Sequence, residues 1–417
     1  MNPFARTTRL AAAAAVLALA AAPAARAQRP PVHEVPPRPA LFASADTNSA
    51  NAYYVHGVQR VESDPRAAAA AFYWAERLNP GWPEALFARR VALLLADPMR
   101  LTDYMEGRSY ELHKADVLAM DSLVLRATQR DPFLHSSLEK TLWMTYFRTI
   151  FRDAARRAGA DPTLTETWLA DALFHADPSF RAWLDYVSGR FGPATEGYRR
   201  ALATGRQSTE LRLQLGRSLY LAGEYAPAAA TLADAIARYQ ADDRRDIVHL
   251  YQSKAVLEYS RAAALERMGD STAASQAYAR TLEEDLSFWA AHRRMAQKAA
   301  ERGDEATALA EMALTVELAP AEPDLRYEHA ALLMLAGQVD PAVAELHKAI
   351  ELDPFYATPH YLLALLNDQS QVVPVAIDHY RHFLSLAARD DARRANAEAR
   401  VAALEAPAAA SAAAPAP

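Results

Sequence analysis

Apolar positions along this chain fall in short helical stripes that recur with a fixed step. The clearest unit is residues 325–354, LRYEHAALLMLAGQVDPAVAELHKAIELDP. Two amphipathic segments flank Gly337, small residues stand at Ala330 and Ala342, and Pro354 ends the unit. One copy cannot bury its own apolar face, so copies must stack. The glycines Gly189, Gly223, Gly269, Gly303 and Gly337 lie 34, 46, 34 and 34 residues apart. The alanines Ala194, Ala228, Ala274, Ala308, Ala342 and Ala376 keep the same step. Small residues precede each turn at Ala182, Gly216, Ala262, Ala296, Ala330 and Ala364. Large ones follow at Tyr198, Leu232, Tyr278, Met312, Leu346 and Tyr380.

These columns have one physical reading. Small residues let two antiparallel helices approach closely, and large ones fill the groove between neighbouring pairs. Glycine permits the tight turn that ends the first helix. Pro320 and Pro354 stop the second.

On these residues the chain resembles the tetratricopeptide repeat family, whose unit is a 34-residue helix–turn–helix. The resemblance covers residues 176–390 as about six repeats. It implies an all-α fold, an α-solenoid in which antiparallel helix pairs wind into a right-handed superhelix. Gln371 replaces the turn glycine of the last copy, and Thr281, Thr315 and Phe383 stand where alanine is usual.

The N-terminal half is more divergent. AAAAAFYWAERLNP, with Ala68, Phe72, Ala75 and Pro80, reads as a second helix paired with residues 53–61. Residues 83–96 read as the next first helix and 115–130 as its second, interrupted by 97–113. Residues 133–157 carry Leu138, Leu142, Tyr146, Ile150 and Phe151 at helical spacing. We read 49–175 as irregular repeats continuous with the rest, with a separate helical domain as the alternative. The 46-residue step inserts twelve residues before one first helix. Its helical polarity predicts a continuous helix from about Asp243 to Met268, capped by Asp242 or Asp243. A loop insertion is the alternative. Residues 391–405 read as a terminal helix.

Composition adds localisation. Arg6 and Arg9, an apolar run at residues 10–22 and Ala25-Arg26-Ala27 predict a signal peptide over 1–27. Export to the periplasm, or beyond it, follows. Residues 28–48, with Pro30, Pro31, Pro36, Pro37 and Pro39, predict an extended, poorly ordered linker. Residues 406–417 contain only Ala, Pro and Ser and predict a disordered tail. After the leader, no apolar stretch approaches the ~20 residues of a membrane helix. The chain has no cysteine, which excludes disulfides, thiolate metal sites and a cysteine nucleophile. The formal charge of −6 becomes −9 without Arg6, Arg9 and Arg26. That balance argues against nucleic acid as a partner.

Catalytic and cofactor motifs are not apparent. There is no HExxH, no glycine-rich phosphate loop and no GxSxG. No cofactor is implied. His379 and His382, beside Asp378, have the i, i+3 spacing of a shared metal, but exposed helix histidines are the commoner reading. Glu283, Glu284 and Asp285 read as a solvated helix end.

The family resemblance places a ligand groove on the first helices. By phase it assigns Trp183, Tyr186, Arg217, Tyr220, Tyr259, Arg293, Tyr327, Met334 and Tyr361 to that groove. Aromatic and arginine side chains are good anchors there, although the same residues at helical spacing also serve packing. The Lys/Asn pairs with which some relatives bind chaperone C-termini do not recur. The expected function is a non-enzymatic scaffold of the bacterial cell envelope that binds a protein or peptide. Two alternatives stay open. One is an accessory enzyme or carbohydrate-binding component using Asp103, Glu106, Glu111 and His113 of DYMEGRSYELH. The other is a structural or self-association role.

Overall fold

The computed structural model describes residues 35–105, 114–161, 178–204, 208–243 and 254–406. Among these there are nineteen helices and no strand. Helix α1 (Ala50–Arg60) packs on α2 (Pro65–Leu78). Helix α3 (Pro83–Leu95) packs on α5 (Lys114–Arg130), with the short α4 (Pro98–Met105) between them in sequence. The long α6 (Ser137–Ala158) lies against α3, α4 and α7 (Pro178–Val187).

Six regular pairs follow. Helix α7 pairs with α8 (Phe191–Ala203), α9 (Thr209–Leu221) with α10 (Tyr225–Asp243), and α11 (Lys254–Arg267) with α12 (Ser271–Glu284). Helix α13 (Trp289–Glu301) pairs with α14 (Glu305–Leu318), α15 (Pro323–Leu335) with α16 (Val339–Leu352), and α17 (Ala357–Gln369) with α18 (Val373–Leu386). A last helix, α19 (Arg394–Glu405), packs on α18. The architecture is an all-α solenoid of tetratricopeptide-type helix pairs.

The turns show why the sequence period becomes a structural one. Within each regular pair the first helix ends on a left-handed residue, with φ between 73° and 83° at the five glycines. The next amide reaches back five residues, as in Glu224 N–H to Leu219 O at 2.8 Å and Gln338 N–H to Leu333 O at 2.8 Å. That bond satisfies a carbonyl which the helix end would otherwise leave unpaired. Gln371 adopts the same conformation at φ 59°, and Val372 N–H closes the same bond to Asn367 O. The tolerated exception keeps the turn and carries the strain of a side chain there. Ser49, Asp64, Ser136, Ser208, Asp270 and Asp304 cap helix N-termini through their side chains.

The small and large columns form the core. Every alanine of both small columns is buried, as are Tyr198, Leu232, Tyr278, Met312, Leu346 and Tyr380. Each such large side chain contributes roughly 1.5–3 kcal/mol. A Cβ at Gly197 would lie 2.7 Å from Ala182 Cβ, so α7 and α8 approach more closely than two alanines allow. Thr281 and Thr315, in alanine positions, give their hydroxyls to Ala277 O and Glu311 O one turn back.

Two expectations change. Part of the proline-rich segment is held in place: Trp74 Nε1 donates to Pro36 O at 3.1 Å, and Arg38 Nε to Tyr53 OH at 2.9 Å. Local composition cannot register these partners, which lie on helices further along the chain. Helix α10 runs through Asp243, so Asp242 and Asp243 continue a helix there and do not cap the start of one. The rest of the expected extension, 244–253, lies outside the described residues. So do the predicted signal peptide, the tail beyond Ala406, and Glu106, Glu111 and His113. No described helix is long and apolar enough to cross a membrane.

Candidate interaction groove

The first helices of the regular pairs line one side of the solenoid. This chain's own N-terminal half occupies much of that side. The turn after α5 places Phe133 flat on Tyr220, with ring centroids 3.6 Å apart. His135 stands edge-on to Tyr186, and its Nε2 bonds Tyr186 O at 3.0 Å. Trp143 and Phe147 of α6 pack edge-on against Trp183. Further along, Arg130 lies over Trp289, 5.0 Å from the ring centroid, and is 3% exposed.

A charged junction joins the two halves. Arg130 Nη2 donates to Glu322 Oε2 at 2.8 Å and to Asp324 Oδ1 at 2.9 Å. Arg126 pairs with Glu322 as well and reaches Glu76 Oε1 at 2.9 Å. Arg77 Nε meets Asp353 Oδ2 at 2.7 Å, and Trp74 packs edge-on to Phe355. Burial opposes charge on Glu322, but Arg126 and Arg130 outweigh it and hold its carboxyl below the usual range. For Asp324 burial dominates and pushes the carboxyl up, despite Arg130.

Between the halves is a cavity of about 420 Å³. One wall is the turn at 79–83; the other is Arg293, Asp324, Tyr327, Glu328 and Tyr356, with Arg130 at the edge. Arg293 and Glu328 form a two-pronged pair, Nε to Oε2 at 2.8 Å and Nη2 to Oε1 at 2.5 Å. Arg130 Nη1 is buried with no hydrogen-bond partner. Gly81 has φ +79°, and a Cβ there would fall 2.3 Å from Asp324 Oδ2 and 2.8 Å from Arg130 Nε. Only glycine fits this approach. The wall therefore offers aromatic faces and paired charges, a set suited to a polar main chain with an apolar or aromatic anchor.

The nine groove positions divide on this geometry. Arg293 and Tyr327 line the cavity together. Trp183 and Tyr220 are covered by the aromatic residues of α6 and of the turn after α5. Arg217 lies over the Tyr186 ring, 5.5 Å from its centroid. Tyr186 and Tyr259 are corrections to the expected exposed groove: they are 1% and 3% exposed and belong to the core. Burial raises both hydroxyls to about 12. Tyr259 is enclosed by Tyr278 and Phe288, and Tyr186 by His135 and Phe191. Met334 packs on the core cluster of Leu333 and Leu363. Tyr361 donates to Asn396 Oδ1 at 3.1 Å and lies under Arg393, so α19 and the segment before it cover it.

Sequence phase did not select Trp82, Arg126, Arg130, Phe133 or Glu322. Gly81 and Pro83 beside Trp82 mark a turn, which is the only local signal. The acidic run ends α12, where Asp285 Oδ1 accepts from Ser287 N–H at 2.9 Å. Among the described residues no group of three or more His, Asp or Glu stands in metal-binding geometry.

The fold defines the class as a helix–turn–helix repeat solenoid. No protein-family model and no curated protein matches the chain. Solved structures do. The C-terminal part of a TPR repeat-containing protein from Cytophaga hutchinsonii is 15% identical over 49% of this chain and 78% of its own, with a TM-score of 0.43. Yeast Tom70 is 13% identical over 85% of this chain and 88% of its own, with a TM-score of 0.40. YrrB, described as a TPR protein with an unusual peptide-binding site, is 18% identical over 42% of this chain and 85% of its own, with a TM-score of 0.33.

Proposed function

We propose that this chain is a protein–protein interaction scaffold that takes a short peptide segment of its partner at the cavity between the 79–83 turn and helices α13 and α15. The observation that carries this reading is the cavity itself. It is the part of the first-helix side where predicted groove residues, Arg293 and Tyr327, stand with Tyr356 and Trp82 around a space of about 420 Å³. That volume suits one or two side chains. Elsewhere the chain's own residues fill the groove, so the contact is local and does not run along the whole solenoid. Such a contact recruits a partner and requires no chemistry of its own.

The amino-terminal pattern supports the cell envelope as the setting, with cleavage after Ala27. N-terminal sequencing of the protein from a periplasmic fraction tests this, with Gln28 as the expected first residue. The binding reading is tested by selecting peptides from a displayed library on the full chain. Selected peptides are expected to lose binding to the Tyr327→Ala and Trp82→Ala variants. Binding unchanged in both variants rejects the cavity as the site.

A further inference from the structure

Three successive repeats join their two helices through a side-chain pair at one phase. In α13/α14 it is His292 with Glu311, Nδ1 to Oε2 at 2.6 Å. In α15/α16 it is Arg326 with Glu345, at 2.9 Å. The first members lie 34 residues apart, as do the second, and the next step lands on His360 of α17 and His379 of α18. There the two Nδ1 atoms face each other at 3.2 Å. The last pair therefore has no carboxylate. Between neutral rings one Nδ1 carries the proton and donates, and the other must stay bare to accept.

The surroundings of this pair are basic. The His382 ring lies nearly parallel to that of His360, with centroids 5.2 Å apart, and the His347 ring is 6.3 Å from that of His379. The titratable groups facing His360 are His379, His382 and Asp378 of α18 and His347 of α16. His379 faces the same Asp378, His382 and His347. Asp378 is the carboxylate among them, and it is exposed, with Oδ2 3.4 Å from His382 Nδ1. One added proton leaves a charged ring donating to a neutral one, so the bond survives. A second sets two N–H groups head to head, with two like charges in contact and no acceptor between them. His360 is buried, so water does not take over the lost bond. In α13/α14 the same proton has the opposite effect: the hydrogen bond to Glu311 holds it and raises the His292 pKa.

Helix α18 also carries contacts to the segment before α1. Asn48 Nδ2 donates to Ser385 O in its last turn at 2.8 Å, and Arg389 N–H just beyond it donates to Asp46 Oδ2 at 2.5 Å. We propose that this repeat is an acid-sensitive latch: protonation of both His360 and His379 separates α18 from α17 and releases Asp46 and Asn48 from Arg389 and Ser385. The turn before α17 keeps its own partners, Arg77 on Asp353 and Trp74 on Phe355, so α18 is the part that moves. Burial first, then His379 and His382, push His360 down to about 4, against about 6.5 for an unfolded histidine. The separated state then binds more protons below 6.5. Closure is complete above that value and weakens as pH falls from it toward 4. Between pH 7.5 and pH 5 this one group favours separation by about 30-fold. Burial lowers His379 as well, which acts in the same direction. The latch does not depend on what the peptide cavity holds.

The test follows backbone amide exchange of the full chain by mass spectrometry with fragmentation to single residues. It is run at pH 7.5 and pH 5.0 and corrected for the intrinsic rate at each pH. Protection of the α17 and α18 amides is expected to fall about 30-fold or more, and that of the Arg389 amide, the donor to Asp46, to fall with it. His360→Arg/His379→Glu copies the pair at Arg326 and Glu345 and should hold both protections level. His360→Gln keeps a hydrogen-bonding side chain that cannot charge and should lose most of the fall, which covers the case in which the Arg/Glu repeat does not fold. Wild-type protection independent of pH, or a fall that persists in full in His360→Gln, overturns the proposal. A fall in α17 and α18 with the Arg389 amide unchanged overturns the release of Asp46.

Discussion

Replacing Arg130 with methionine tests the junction between the N-terminal half and the repeats. Methionine keeps an apolar stem against Trp289 and deletes the guanidinium, which is 3% exposed and touches Glu322 and Asp324. Removing one member of a buried ionic network costs about 3–5 kcal/mol. Two features place this case at the low end. Glu322 keeps Arg126 as a partner, and Asp324, already pushed up by burial, can take a proton. We expect a loss of about 3 kcal/mol in the local opening free energy, or roughly 100-fold faster exchange of the amides around Asp324 and in the last turn of α5. The sign of the pH effect follows. A carboxyl whose folded pKa is raised gains folding stability as pH falls through that value. Without Arg130 the Asp324 pKa rises further, so the deficit at pH 5 should be smaller than at pH 7. Asp324→Asn in the Arg130→Met background should recover at least about 1 kcal/mol. Hydrogen exchange by mass spectrometry reads all three values. A deficit independent of pH, with no recovery from Asp324→Asn, refutes the electrostatic account of the junction.

Three further outcomes are expected. Gly81→Ala should destabilise far more than Gly337→Ala in thermal melts: both are left-handed, but only Gly81 has atoms within 3 Å of the new Cβ, so Gly337→Ala should cost only about 1–2 kcal/mol. Gln371→Gly should stabilise by roughly 0.5–1 kcal/mol, the relief of a left-handed side chain less the entropy that glycine loses, read as a higher midpoint in urea. His292 has its pKa raised by the Glu311 hydrogen bond, so its contribution is complete below the unfolded value near 6.5 and is lost as pH rises through the folded value; NMR titration of the His292 ring should show the raised value, and Glu311→Gln should abolish the shift.

The repeats were legible because their determinants are local and periodic. Gly303, Ala308 and Met312 each do one job at one phase, and the structure uses them in those jobs. The vacant glycine position at Gln371 was equally visible, and its left-handed backbone shows that the turn bond to Val372 N–H outweighs the strain. The occupation of the groove was not legible. Arg126 and Arg130 meet Glu322 and Asp324 across 192 to 196 residues and share no repeat phase with them. Periodicity states which face of a helix points outward from its own pair, but not what then covers that face. Tyr186 and Tyr220 were expected in an open groove, and His135 and Phe133 pack on them instead. The pair His360 and His379 shows the converse. Spacing along one helix singled out His379 and His382, while alignment of the repeats against one another identifies the partner that faces His379 across the junction.

The contacts of Asp46 and Asn48 with Ser385 and Arg389 bear on how this protein must fold. Asn48 Nδ2 donates to Ser385 O at 2.8 Å, and Arg389 N–H to Asp46 Oδ2 at 2.5 Å, across 337 and 343 residues. In a linear repeat array each unit meets only its neighbours, and folding can start anywhere and spread. Here the segment before α1 and the end of α18 close a loop of more than three hundred residues, whose entropic cost falls due before its contacts form. Asp46 and Asn48 are synthesised before Ser385 and Arg389 and dock only once that repeat exists. Repeats therefore cannot be added or removed freely, as they can in an open array: a change in their number moves Ser385 and Arg389 away from Asn48 and Asp46, and the closing step loses its partners.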